Sequence, residues 1–384
     1  MDFLGGTAAY ISLDAVRSNY LKIRDTVARD SGIMCIIKAD AYGHGAEYLA
    51  SVYDSLGANA FGVATVAEAI SIRKTGTKKP ILILGYTPTE YAKDLIEYDI
   101  TQCVFSEDYA AALSCAALRI GGVVKVHIKV DTGMSRIGFV AKNDEDVLKI
   151  YRAVNVGGLF AQGVFTHLSS ADIDQREFTL AQFENFKYVC DKLTALFGRK
   201  LIRHAANSAA IIDYPEFCLD MVRAGIILYG MAPSGKLLGR LGLSPVMTLR
   251  SEVSLVKDVP AGVSVGYSRK FISEEPMKIA TVQIGYADGF FRYGSCGGAT
   301  LTVGGKEAKT VGNVCMDQIM LDVTGIGDVK MADEVIIFGD GGRSAEMLAD
   351  EIGTICYELT TTVGVRVPRV YVENGRIVDI KNRI

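Results

Sequence analysis

Residues 33–45 read IMCIIKADAYGHG: five apolar residues, a lysine, and then a small-residue loop holding Gly43, His44 and Gly45. A short apolar run cut off by glycines predicts a buried strand over 33–39 rather than a helix. The amine of Lys38 would stand at the C-terminal end of that strand. Similar runs recur at 60–65, 80–86, 101–105, 123–131, 159–167, 201–207 and 221–230, each separated from the next by a longer segment. Eight strands alternating with helices predict a parallel (β/α)8 barrel.

The intervening segments have helical texture. SEDYAAALSCAALR opens on Ser106, an N-cap residue, and continues in alanine-rich helix formers; DQREFTLAQFENFKYVCDKLTALFG carries apolar residues at helical spacing and stops at Gly198. After the Gly/Pro-rich stretch YGMAPSGKLLGRLGLSP the pattern changes to strands without regular helices between them, as in VMTLRSEVSLVKDV, KIATVQIGY, ATLTVGG, QIMLDVT, EVIIFG and RVPRVYVENGRIVDI. A single helix is predicted near SAEMLADEIG. Residues 1–239 are therefore read as the barrel and 240–384 as a mainly β domain.

Composition narrows the function. The chain of 384 residues is 49% hydrophobic and 22% charged, with a net charge of -3 and a pI near 5.9, so no basic field attracts nucleic acid. The opening MDFLGGTAAYISLDAVRSNY lacks a basic segment followed by an apolar one, and no apolar run reaches the about 18 residues a membrane span needs. A cytoplasmic protein without membrane or nucleic-acid partners is expected. The eight cysteines stand singly in apolar surroundings and read as reduced, buried thiols rather than as metal ligands or disulfides.

In a (β/α)8 barrel, chemistry collects where the C-terminal strand ends and their loops converge. Those ends carry Lys38, Lys129 with Arg136 beyond it, His167, His204 with Asn207 and Ser208, and Arg223 with Gly225. Taken singly, each has an ordinary structural reading: a lysine whose stem packs on apolar neighbours, a core histidine, a surface ion pair. Together they make an unusually polar rim.

The motifs KADAYGHG, KVDTGMSRIG, THLSSAD, HAANSA, RAGIILYG, IGYADG, GNVCMDQ and RVPR occur in one order along the whole chain. In order and spacing they resemble the pyridoxal-phosphate-dependent alanine racemases. That resemblance implies that Lys38 forms the Schiff base with pyridoxal 5'-phosphate. Tyr42, Ser208, Gly225 and Ile226 would hold the phosphate. Arg223 would meet the ring nitrogen; being a permanent cation, it leaves that nitrogen unprotonated and weakens the electron sink, favouring proton return over other outcomes. His204 is read either as support for Arg223 or as packing.

Racemisation needs a base on each face of Cα. The resemblance supplies Lys38 for one face and Tyr286 for the other. A tyrosine titrates near 10 in water and so needs nearby positive charge or donors to act as a base; His167 is implied to link it to Arg223. Arg136 and the backbone of Met316 would take the substrate carboxylate. Tyr286 and Met316 are implied to reach the barrel mouth of a second subunit in a homodimer with shared sites. Lys129 matches a position often carbamylated in these enzymes, although an ordinary charged rim lysine is an equal reading.

Three departures from the family pattern stand out. Val365 occupies a position where a tyrosine usually touches both phosphate and substrate, which alters the wall of the substrate pocket. Ser135 stands where glycine is usual, and Asn313 where arginine is frequent. The expected activity is interconversion of L- and D-alanine for cell-wall peptidoglycan, with serine as the alternative substrate because serine-accepting relatives also lack that tyrosine. Decarboxylases of the same plan pair the ring nitrogen with an acid and hold the phosphate with a glycine-rich run. RAGIILYG is not such a run, and they are the distant alternative.

Overall fold

The computed structural model describes residues 6–382. The first five residues of the stretch read for a leader lie outside that range.

The first described strand belongs not to the barrel but to the second domain's sheet. Strand β1 (Ala8–Ser12) passes into the helix Leu13–Thr26, whose N-cap Ser12 accepts from the Ala15 amide. The barrel follows as β2 (Gly32–Ile36), β3 (Ala60–Val63), β4 (Ile81–Ile83), β5 (Ile100–Val104), β6 (Val124–Lys129), β7 (Leu159–Phe165), β8 (Ile202–His204) and β9 (Met221–Ala224). All pair in parallel, in the order β8-β7-β6-β5-β4-β3-β2-β9. The ends of that order are tied by Asp220 N–H to the Arg203 carbonyl at 3.1 Å and Arg223 N–H to the Ala206 carbonyl at 2.9 Å, which closes the ring.

Every strand read from the sequence is present, but most are shorter at their C-terminal ends. The run 33–39 gives a strand only to Ile36, and 221–230 gives one only to Ala224. The cause is local: the residues just past these ends leave the extended conformation to form the loops of the rim. The predicted helices form as Glu107–Arg119, capped by Ser106, and Arg176–Phe197, ended by Gly198 at a φ of 62°.

The second domain contains β10 (Met247–Val259), a small ribbon of β11 (Ser264–Val265) and β12 (Phe271–Ile272), and then β13 (Met277–Val282), β14 (Thr300–Val303), β15 (Lys306–Val311), β16 (Ile319–Asp322), β17 (Glu334–Phe338), β18 (Arg369–Glu373) and β19 (Arg376–Lys381). Strand β10 is long enough to pair with β17 and β1 along its first half and with β13 along its second, shifting register between Val253 and Leu255. Strands β10, β13, β16, β15, β14 and β17 thereby close on themselves, with β1, β18 and β19 extending from β10.

Strand β1 pairs antiparallel with β10 and parallel with β18, so a segment within the 1–239 reading is hydrogen-bonded into the β domain. The helix Ala345–Ile352 matches the one predicted there, while β15 and the helix Cys356–Thr361 were not read. One continuous hydrophobic core runs from barrel residues such as Ile33 and Phe61 to Leu249, Val282 and Phe338. The junction between domains is thus packed, which fixes one set of loops against the other.

Candidate active site

Lys38 does not end a strand. It opens a left-handed turn in which Ala39, Asp40, Ala41 and Tyr42 have φ values of 49°, 55°, 54° and 54°. For L-residues this conformation costs roughly 1–2 kcal/mol each, so the surroundings must impose it. Glu68 Oε1 accepts from the Ala39 amide at 2.7 Å, Asp40 Oδ1 from Ala46 at 2.9 Å, and the Gly43 carbonyl from Arg369 Nε at 2.9 Å. Gly43 lies so close to the neighbouring helix that a Cβ there would stand 2.1 Å from the Thr360 carbonyl oxygen. Both domains therefore hold the turn that sets Lys38.

Burial lowers the Lys38 amine's proton affinity, and Arg136 lowers it further, against the opposing pull of Glu68. Four residues on, the buried Tyr42 phenol is pushed up by desolvation, which keeps it protonated and a donor. Its hydroxyl faces Gly225, whose amide donates to Ser208 Oγ at 3.0 Å. A Cβ built on Gly225 would lie 3.1 Å from the Tyr42 hydroxyl and 3.4 Å from Ser208 Oγ, so the space between them exists only because residue 225 is glycine. Ile226 begins the helical turn that follows. This concave set of donors fits a phosphate.

Arg223, in β9, is 4% exposed and donates to the carbonyls of His204 at 2.7 Å, Thr166 at 2.7 Å and Ala205 at 2.9 Å. Burial pushes the guanidinium down from its ordinary value, but three carbonyl acceptors favour the cation. Its Nη2 lies 3.3 Å from His167 Nδ1 and its Nη1 lies 3.2 Å from His204 Nδ1. A guanidinium only donates, so both imidazoles accept at Nδ1 and carry their proton on Nε2. His204 then donates to His127 Nδ1 at 2.8 Å, so it bridges Arg223 to a second buried imidazole. Desolvation, followed by Arg223, Arg136, Lys129 and Lys38, holds His167 well below the ordinary range, so it is neutral at pH 7.

Lys129 closes β6, 4% exposed, its Nζ donating to the Val130 carbonyl at 2.8 Å. Burial and then Arg223 bring it down to about 8. Arg136 is exposed on the loop beyond. Lys38, Lys129, Arg136 and Arg223 form a cluster of cations at one rim, suited to an anion. Ser135, on the same loop, adopts a φ of 57°, the conformation that glycine takes freely.

Among the described residues no hydrogen bond joins Tyr286 or Met316 to these rim groups, His167 included. Both lie in the β domain, 44% and 52% exposed. They are instead held to each other: the Tyr286 amide donates to the Cys315 carbonyl at 3.1 Å and the Ala287 amide to the Met316 carbonyl at 3.0 Å. Arg366 locks both loops, meeting Asp288 Oδ1 at 2.7 Å and Asp317 Oδ1 at 2.7 Å. Asp288 also accepts from the Gly285 amide at 2.8 Å. Val365, 63% exposed, precedes this clamp directly. Asn313 is buried and donates to the Tyr267 carbonyl at 2.8 Å.

Two positioning groups escaped the sequence reading. Glu68 completes a capping box with Thr65 while its Oε1 supports the Lys38 turn. The signal T-x-x-E was present in the sequence. Arg366 lay inside a quoted motif, but its two acidic partners are 78 and 49 residues away along the chain.

Comparison with known proteins agrees with this geometry. Family models for the N-terminal and C-terminal domains of alanine racemase match residues 11–233 and 246–371. Alanine racemase 1 of Clostridium acetobutylicum is 41% identical over 380 residues, covering 98% of each chain, and the alanine racemase of Desulforamulus reducens is 43% identical over 365 residues, covering 95% of this chain and 98% of its own. Among solved structures, alanine racemase of Clostridium difficile 630 superposes with a TM-score of 0.94 at 40% identity over the full length of both chains, and its complex with cycloserine with 0.92 at 39%. Matches of this extent displace the decarboxylase alternative. The chain, a barrel joined to a mainly β domain, belongs to the alanine racemase family.

Proposed function

We propose that this racemase interconverts L- and D-alanine by two-base proton transfer, with Lys38 on one face of Cα and Tyr286 of a second subunit on the other. The observation that carries the reading is the Lys38 amine: its proton affinity is lowered, and it stands on an enforced turn with the Tyr42, Ser208 and Gly225 donors at that turn's far end. Pyridoxal 5'-phosphate, when bound, supplies the electron sink that acidifies the Cα proton. Tyr42, Ser208, Gly225 and Ile226 would hold its phosphate, Lys38 would be its point of attachment, and Arg223 would face its ring nitrogen.

Within that arrangement the protein's own groups divide the work. A Lys38 amine of lowered proton affinity is better able both to accept a proton and to return one than an ordinary lysine. Neutral His167, protonated on Nε2, has a donor to offer a phenolate brought by the partner. Arg136 and the Met316 amide would bind the substrate carboxylate. Lys129, with an amine brought down to about 8, has the free base needed for carbamylation, and the modified side chain would orient Arg136.

The exposure of Tyr286 and Met316, braced by Arg366, supports a homodimer in which they meet a partner's barrel. We place the enzyme in the cytoplasm, making D-alanine for peptidoglycan; its cysteines are free thiols, as a reducing compartment requires. Serine is the second substrate reading, favoured by Val365, which leaves the pocket wall without the usual tyrosine.

Incubation with L-alanine, and separately with L-serine, in deuterated water tests the proposal. D-Isomer with deuterium at Cα is expected, with alanine faster. Release of carbon dioxide without D-isomer would overturn it.

A further inference from the structure

We infer that Arg369 is a positioning residue for both proposed bases at once, and so the mechanical tie between the two active sites of the dimer. The inference rests on the proposed shared site, in which Lys38 and Tyr286 of one chain serve different sites.

Arg369 opens β18 and is 2% exposed. Its guanidinium reaches two ways. Nε donates to the Gly43 carbonyl at 2.9 Å, at the far end of the turn that begins with Lys38. Nη1 donates to the carbonyls of Gly364 at 2.7 Å and Val367 at 2.6 Å, and Nη2 to that of Val363 at 2.8 Å. A buried guanidinium is costly to desolvate unless acceptors surround it, and its planar fork of donors holds those acceptors in fixed directions. One side chain thereby sets the separation between residue 43 and the loop 363–367.

That loop lies directly against the turn that carries Tyr286. The Gly364 amide donates to the Asp288 carbonyl at 2.8 Å, and Arg366 holds the Asp288 carboxylate. The two segments are too close for side chains between them. A Cβ on Gly364 would stand 2.8 Å from the Ala287 carbonyl oxygen, and one on Gly289 would stand 2.3 Å from that of Thr362. Gly43 meets the same stretch from the other side, at the Thr360 carbonyl. Residues 360–369 are therefore wedged between the Lys38 turn and the Tyr286 turn, and Arg369 bonds the wedge to the first of them. Glu68, by contrast, anchors the Lys38 turn only to the barrel's own β3 loop.

None of the four carbonyls is itself a proposed site group, so Arg369 acts through backbone position. Reacting groups tolerate little displacement: a shift of about 1 Å can cost roughly 10²-fold in rate. A shorter side chain at 369 would let residue 43 and the 363–367 loop move independently, displacing Lys38 in one site and Tyr286 in the other.

Mixed dimers test this. One chain carries Tyr286→Phe and keeps Lys38, the other carries Lys38→Ala and keeps Tyr286, and two affinity tags isolate the cofactor-loaded pair, which has one intact site. Arg369→Lys, which keeps the cation but loses the fork, is placed in either chain; Arg369→Gln, planar and still a donor, replaces it if the lysine chain forms no pair. Turnover should fall by roughly tenfold in both placements. With Cα-deuterated alanine, the isotope effect should rise for one enantiomer when Arg369→Lys is in the Lys38 chain, and for the other enantiomer when it is in the Tyr286 chain. Each base removes the proton of one enantiomer, whereas general loosening of the fold would raise both effects or neither. Apo-protein bearing Arg369→Lys in every chain should also bind pyridoxal 5'-phosphate roughly tenfold more weakly, read from visible absorbance. A fall in only one placement, the same isotope pattern in both, or unaltered cofactor binding would each overturn the role of Arg369 alone. A parent pair without activity would instead overturn the shared site, and this inference with it.

Discussion

The two halves of the proposed active site are built in opposite ways. In the barrel half, Lys129 and Arg223 are each 4% exposed, and Arg223 is held by three carbonyls. In the β-domain half, Tyr286, Met316 and Val365 are 44%, 52% and 63% exposed. Yet the second half is not loose, because Arg366 ties both of its loops to Asp288 and Asp317. A rigid framework that presents its reactive groups to solvent is one made to meet something else. The contrast is what the proposed shared site requires: a barrel half complete within one chain, and a second half complete only on assembly.

Mixing variants would break or sharpen this comparison most strongly. Lys38→Ala and Tyr286→Phe should each lower racemase turnover by roughly 10²–10⁴-fold. Co-refolded together, they should regain roughly a quarter of wild-type activity, because half of the dimers are mixed and each of these has one intact site. No recovery would place both bases in the same chain.

The buried charge of the barrel half should appear in pH dependence. The Lys129 amine titrates near 8 in the fold instead of 10.5, so between those values the unfolded chain binds more protons and folding stability rises with pH. Compared with Lys129→Met in bicarbonate-free buffer, wild type should gain about 3 kcal/mol across that window, as measured by urea titration. A flat difference would show that the amine is not desolvated. In the exposed half, Arg366→Met strands the buried Asp288 carboxylate at a cost of about 1–3 kcal/mol. Turnover should fall while the cofactor's visible absorbance stays, because the barrel half is untouched.

Two smaller effects follow. Val365→Tyr should lower the serine-to-alanine ratio of kcat/KM by roughly tenfold; an unchanged ratio would remove this residue from the pocket wall. Ser135→Gly relieves a left-handed serine and should stabilise the chain by about 0.5–1 kcal/mol in thermal unfolding, without altering cofactor binding.

Legibility divided along the same line. The barrel was readable because its strands are mostly buried apolar runs and its rim residues lie at or shortly past the end of each run. Lys38, His167, Ser208 and Gly225 were found in this way, although the strands were drawn too long. The left-handed turn could not be read: KADAY has no glycine or asparagine to signal positive φ, and the conformation is imposed by Glu68 and Arg369 from distant segments. Strand β1 was missed because AAYIS is short and its partners begin some 240 residues later.

The sequence by itself determined the plan of a parallel barrel followed by a mainly β domain, since burial pattern and residue type are local properties. Only the tertiary structure decided how those groups act. It turned Lys38 out of its strand, set the protons of His167 and His204 through a buried guanidinium, and joined Asp288, Asp317 and Arg366 into one clamp. Such outcomes depend on which distant groups share a low-dielectric space, and no local stretch of sequence contains that information.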